Sequence, residues 1–222
     1  MAEDRVTRRG SLARLGGAGA AAVLGWKAVE DSSAGPKAVA SGLVSCVLSP
    51  ESTEGPFFLP GDRIRRDVTE GKPGVPLTLK LTVLDVSTCK PIRGAAVDIW
   101  HCDAAGTYAA QKSRTFLRGI QRTDAKGTAT FKTIYPGWYP GRTVHIHVKV
   151  SLGGNVVHTG QLYFPDAVTD RVYARSPYRS RPARSTRNAD DAIYRNGGSR
   201  STLRLRKVGS AYTASINVGI QR

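Results

Sequence analysis

Residues 76–86 read PLTLKLTVLDV, and in them Leu77, Leu79, Leu81 and Val83 alternate with Thr78, Lys80 and Thr82. A period of two sends one set to a buried face and the other toward water, the pattern of a half-buried β-strand. The same pattern recurs outward from this stretch. A turn with Pro and Gly, STCKPIRG at 87–94, leads into Gly94–His101, where Ala95, Val97 and Ile99 share a face. The two stretches together suggest a hairpin. Further strands are predicted at Phe116–Thr123, Thr128–Ile134, Thr143–Ser151, Val156–Phe164, Leu203–Val208 and Ala211–Val218. Short strands separated by turn signals predict an all-β fold, an antiparallel β-sandwich with few short helices and long loops. Asp166–Tyr173 is the helix expected, with Asp166 as its N-cap. The polar, Arg-rich stretch 175–200 has no period and reads as a long loop wrapping the body.

Composition narrows the classes. The chain has 222 residues, 40% of them hydrophobic, which supports a packed core rather than disorder. The weakly apolar run Gly16–Trp26 is well short of the roughly 20 residues a membrane helix needs. The net charge is +16. Its Lys and Arg are scattered without interleaved aromatics, which argues against a nucleic-acid partner.

Thr7-Arg8-Arg9 precedes a soft apolar stretch, and Ala38-Val39-Ala40 supplies a small-residue cleavage site. This is the pattern of a twin-arginine export signal over 1–40, although Ser11 stands where Phe is usual. The expected organisation is therefore a signal at 1–40, an extended segment at 41–75 and the sandwich at 76–222, in an exported protein. Three cysteines, Cys46, Cys89 and Cys102, allow one bridge. An extended strand of eight residues spans about 26 Å, too far for Cys89–Cys102. Cys46 is left to pair with one of them, and Cys46–Cys102 is the expected bridge.

Two of four histidines form His145-Ile146-His147 within a predicted strand, so both imidazoles face one side and can reach one ion. Just upstream, PGWYPGR places Tyr139 in a turn, and DAAGTY places Tyr108 in a loop. Two imidazoles and two phenolates suit neither Mg²⁺ nor Ca²⁺, and they differ from the usual zinc sets. Phenolate is a hard anion, and two of them offset most of the charge of Fe³⁺. Trp100 reads as core, His101 and His158 as structural or exposed, and Tyr135 and Trp138 as the lining of a cleft.

Four stretches in succession, TEGPFFLP at 53–60, GAAVDIWHCDAAGTY at 94–108, TIYPGWYPGRTVHIHVKV at 133–150 and TGQLYFPDAVTD at 159–170, resemble the intradiol ring-cleavage dioxygenases. The resemblance covers roughly Cys46 to Val218 and is closest to a short, exported bacterial branch. It implies a transthyretin-like sandwich and a ferric centre held by Tyr108, Tyr139, His145 and His147. It implies that O₂ cleaves a catechol-type ring between its hydroxylated carbons to give a muconate-type diacid. Tyr139 would leave the metal and act as a base. Arg142 and Gln161 would bind substrate, with Arg142 over the ring and Gln161 behind it. The rival expectation is a non-catalytic transthyretin-like module that binds a ligand without iron.

Overall fold

The computed structural model describes residues 46–61, 63–109 and 115–221. The twin-arginine segment and its cleavage site lie outside them.

Eight strands form among the described residues: β1 Pro76–Asp85, β2 Ala96–Trp100, β3 Arg118–Arg122, β4 Thr128–Ile134, β5 His145–Leu152, β6 Asn155–Tyr163, β7 Arg204–Val208 and β8 Ala211–Ile220. They make two sheets, ordered β4-β1-β8-β7 and β3-β2-β5-β6. We call these the first and the second sheet. The all-β sandwich expected from the alternation is the fold observed. Leu77, Leu79, Leu81 and Val83 from the first sheet meet Val97, Ile99, Ile146, Val148 and Val150 from the second in one core. Burying each such side chain contributes about 1.5–3 kcal/mol, which drives the two inner faces together.

Two topological expectations are corrected. Five of the six strand pairings are antiparallel and run through both sheets, but β1 and β8 pair in parallel, Leu77 with Tyr212 through Asp85 with Ile220. Stretches 76–86 and 94–101 are also not a hairpin pair. The chain does reverse locally, with Ile92 N–H donating to Val83 O and Asp85 N–H to Lys90 O. It then crosses over, so β1 lies in the first sheet and β2 in the second.

The expected bridge is also corrected: Cys46 pairs with Cys89, Cα atoms 5.5 Å apart, and Cys102 is a free, buried thiol. The reason is where the ends lie. Leu48 bridges Gly219 at the end of β8, beside the turn that carries Cys89. Cys102 follows β2 and packs with Trp100 and Tyr108 instead.

Helix α1, Asp166–Tyr173, has the predicted bounds, but Pro165 is its N-cap and no side chain caps it. Asp166 instead accepts from Arg184 and from the backbone N–H of Asn188. The stretch 175–200 is more ordered than a plain loop. It holds 3₁₀ turns at Tyr178–Ser180, Asn188–Asp190 and Gly198–Ser201, and a short helix α2, Ala192–Arg195.

Candidate metal centre

Strand β5 is buried on both faces. Ile146, Val148 and Val150 enter the core, so His145 and His147 emerge on the far side of the second sheet. There the cross-strand neighbours of His147 are Trp100 on β2 and Gln161 on β6, while His145 faces Tyr163. Adjacent positions on one face interact directly. The Trp100 ring accordingly stacks on His147, with centroids 4.9 Å apart and planes 7° apart. Trp100, expected in the core, is buried on this outer face.

Three connections roof the face. The chain at 53–60 passes over His147. A Cβ on Gly55 would lie 3.1 Å from His147 Cε1, and Gly55 has φ +70°, so both space and backbone require glycine there. Phe57 then stacks on Tyr108, centroids 4.3 Å apart. The loop after β2 carries Tyr108 and is shaped by Asp103, whose carboxylate accepts from the N–H groups of Ala105 and Thr107 and from Lys72 Nζ. Buried Arg118 ties the two together by donating to Phe57 O and Ala109 O. The turn before β5 brings in Tyr139.

All four expected ligands converge. Around His145 Nε2 lie His147 Nε2 at 3.1 Å, Tyr139 Oη at 3.1 Å and Tyr108 Oη at 3.4 Å. His145 Nδ1 lies 2.7 Å from Thr143 O, so Nδ1 carries the proton and Nε2 presents a lone pair. One lone pair cannot accept from three neighbours. Donors about 2.1 Å from a common cation, at roughly right angles, would stand about 3 Å apart, which is the spacing found. The set therefore fits a cation.

Electrostatics agree. Burial drives the His145 pKa down to about 3 and that of His147 well below the ordinary value, the Arg142 charge adding to both. Both imidazoles are thus neutral donors. Burial pushes the Tyr108 hydroxyl well above its usual pKa and also raises half-buried Tyr139, while Arg142 pulls both down. These phenols ionise here only against added positive charge. His147 Nδ1 has no hydrogen bond of good geometry, although the nearby Thr53 carbonyl still favours a proton on that ring.

Arg142 and Gln161 meet beside the four. Gly141 at φ +82° keeps the chain turning, and β5 starts only at His145, so Arg142 is not held to strand alternation. Its Nη2 donates to Gln161 Oε1, which also accepts from Tyr163 Oη, and Gln161 Nε2 donates to Thr53 O. Its Nε donates to buried Asp191 at 2.9 Å. The sequence pattern did not single out Asp191. Its available signal was an acidic residue directly before the helical AIYR, the N-cap position it occupies.

The remaining candidates lie elsewhere. His101 bonds Cys102 O and Thr133 Oγ1, and His158 pairs with Glu51, so both are structural as expected. Tyr135 is corrected: it sits in the core with its hydroxyl 2.8 Å from Thr169 Oγ1 and lines no cleft. Trp138 is half-buried under the Arg181 guanidinium, 4.6 Å from its ring centroid.

Residues 53–181 match a family model described as Dioxygenase. The structure is similar to an intradiol ring-cleavage dioxygenase from Tetranychus urticae, 36% identical with TM-score 0.76, over 79% of this chain and 95% of that one. It is also similar to the dioxygenase domain of a dioxygenase carbohydrate-binding protein fusion from Streptomyces sp. SirexAA-E, 34% identical with TM-score 0.64, over 78% and 98%. A catechol 1,2-dioxygenase of Candida albicans is 29% identical over 54% of this chain and 49% of its own length. The chain spans about half the length of the curated relatives it matches, or less.

Proposed function

This chain belongs to the intradiol ring-cleavage dioxygenase family, and we propose that it uses non-haem Fe³⁺ and O₂ to cleave a catechol-type ring between its hydroxylated carbons, giving a muconate-type diacid. The observation that carries this reading is the meeting of Tyr108, Tyr139 and His147 around His145 Nε2. These four would hold the iron. Ferric iron, when bound, supplies the Lewis acidity that activates a catecholate ring toward O₂.

The chain's own residues account for the rest. Tyr108 is buried beneath Phe57 and stays in place. Tyr139 is half-buried on a turn, so it is the phenolate free to move and take a catechol proton at its Oη. Arg142 carries a fixed positive charge on a guanidinium held at Nε and Nη2, and that charge would stabilise negative charge developing on the ring. Gln161 keeps that fork oriented. Phe57, Phe58 and Trp100 form an apolar wall that excludes water and strengthens these interactions. Export rests on the twin-arginine pattern, and a disulfide at Cys46–Cys89 suits an oxidising destination.

The test is direct. The purified protein should contain iron and be red to purple from tyrosinate-to-iron charge transfer. It should consume O₂ with one of catechol, protocatechuate, hydroxyquinol or chlorinated catechols, and ¹⁸O₂ should place two labelled atoms in the diacid. A colourless protein that takes up no iron on ferric reconstitution and consumes no O₂ would overturn the proposal.

A further inference from the structure

We propose that Asp191, delivered by the Arg-rich stretch 175–200, is a positioning residue that acts through Arg142. The inference rests on the role given to Arg142 above. Asp191 is 1% exposed and uses both oxygens. Oδ1 accepts from Ile193 N–H at 2.8 Å and Tyr194 N–H at 3.2 Å, which fixes the carboxylate on the start of α2. Oδ2 accepts from Arg142 Nε and from Thr143 N–H, each at 2.9 Å. One oxygen therefore anchors to a rigid element while the other holds two consecutive residues at the entrance to the ligand strand.

The consequence is geometric. Nε is held by Asp191 and Nη2 by Gln161, so two edges of one planar group are pinned from different elements. A guanidinium held at one edge can still swing about its last side-chain bonds, whereas one held at two cannot. Neither partner bonds a ligand residue directly, and Asp191 reaches His145 only through the Thr143 backbone, so its carboxylate acts first on where the Arg142 charge sits. Asparagine at 191 keeps one amide oxygen, which can serve the donor pair on one side only. It loses the negative charge, and its NH₂, a donor, meets the N–H groups of the other pair without accepting from them.

The experiment compares Asp191→Asn, Arg142→Ala, the double variant and Arg184→Ala, on whichever catechol of the panel is turned over fastest. Arg184→Ala loosens the same stretch where it is tied to Asp166 and Asp170, away from Arg142. Asp191→Asn should lower kcat/KM about 10–100-fold, chiefly through kcat, with iron content and resting visible spectrum unchanged. In the Arg142→Ala background it should cost nothing further. Arg184→Ala should lower Tm while kcat/KM stays within about twofold. In the wild-type metal-free protein, the Arg142 Nε–H proton should exchange slowly with water by NMR, which needs no folded Asp191 variant.

Fast exchange at that Nε–H, or equal losses for Asp191→Asn with and without Arg142, would overturn the positioning role. If Arg142→Ala leaves turnover intact, the role of Arg142 itself fails. The exchange measurement still reports separately whether Asp191 holds it.

Discussion

The two sheets share a core but face opposite circumstances. On the outer face of the first sheet, Thr78, Lys80 and Thr82 stand beside Thr213, Ser215 and Asn217 of β8 and beside Lys132, Thr130 and Thr128 of β4. These side chains are exposed or partly exposed and are what a solvated sheet requires. On the outer face of the second sheet, Trp100, His145, His147, Gln161 and Tyr163 are all buried under connecting chain. Polar groups in water need no explanation, whereas two imidazoles and two phenols packed in a dry layer do. Polarity singles out a candidate site where burial makes it costly.

Truncation on the covered face should have the largest effect. His147→Ala should lose iron and lower turnover by three decades or more, about 4 kcal/mol, with the fold intact by circular dichroism. Tyr139→Phe should retain iron while losing much of the turnover, because Tyr139 is the residue proposed to leave the metal and take the proton. Metal analysis with O₂ uptake separates them, and equal iron content in both variants would contradict the assigned roles.

Truncating between the sheets should do the opposite. Leu79 is fully buried, so Leu79→Ala should cost about 2–5 kcal/mol of stability. Denaturant unfolding measures this, and the fraction that remains folded should keep its iron and colour.

A smaller effect joins the two sheets. His101, at the end of β2, lies with Nε2 2.7 Å from Thr133 Oγ1 on β4. Burial lowers its pKa from 6.5 to about 4. Between those values the unfolded chain binds a proton that the folded chain refuses. Its contribution is therefore complete above pH 6.5 and is lost as pH falls toward 4, up to about 3 kcal/mol. Stability curves should show a weaker slope across that window in His101→Gln. An unchanged slope would show that this imidazole is not refused its proton.

The smallest effect belongs to the exposed face. Lys80→Ala should change stability by less than about 0.5 kcal/mol and leave kcat/KM unaltered. A large loss there would mean that the outer face of the first sheet is not simply solvated.

The same contrast explains what could be read from residues alone. In β1 one face is wet and one dry, so the alternation Leu77 to Val83 identified the strand and its inner side. Strand β5 is dry on both faces, yet His145 and His147 stood out because imidazoles at i and i+2 share a side whatever covers them. Tyr108 and Tyr139 were legible as candidates through their turn residues and the family resemblance. Asp191 was not, because its partner lies 49 residues earlier in the chain and no local period connects them. The Cys46–Cys89 bridge was missed for a related reason: strand length excluded one pairing but could not say to which end of the sandwich residue 46 returns.

Periodicity and turn chemistry act over a few residues, and they suffice for the eight strands, the helix at 166–173 and the inner faces of the sheets; with the family resemblance they also singled out the four residues that converge beside His145. Tertiary structure alone decided that β1 pairs in parallel with β8, that β2 crosses to the other sheet, and that 53–60 closes over His147. It also decided that Asp191 reaches Arg142. Each of these is a contact between distant segments, chosen by which buried faces and hydrogen-bonding groups the folded chain can satisfy together.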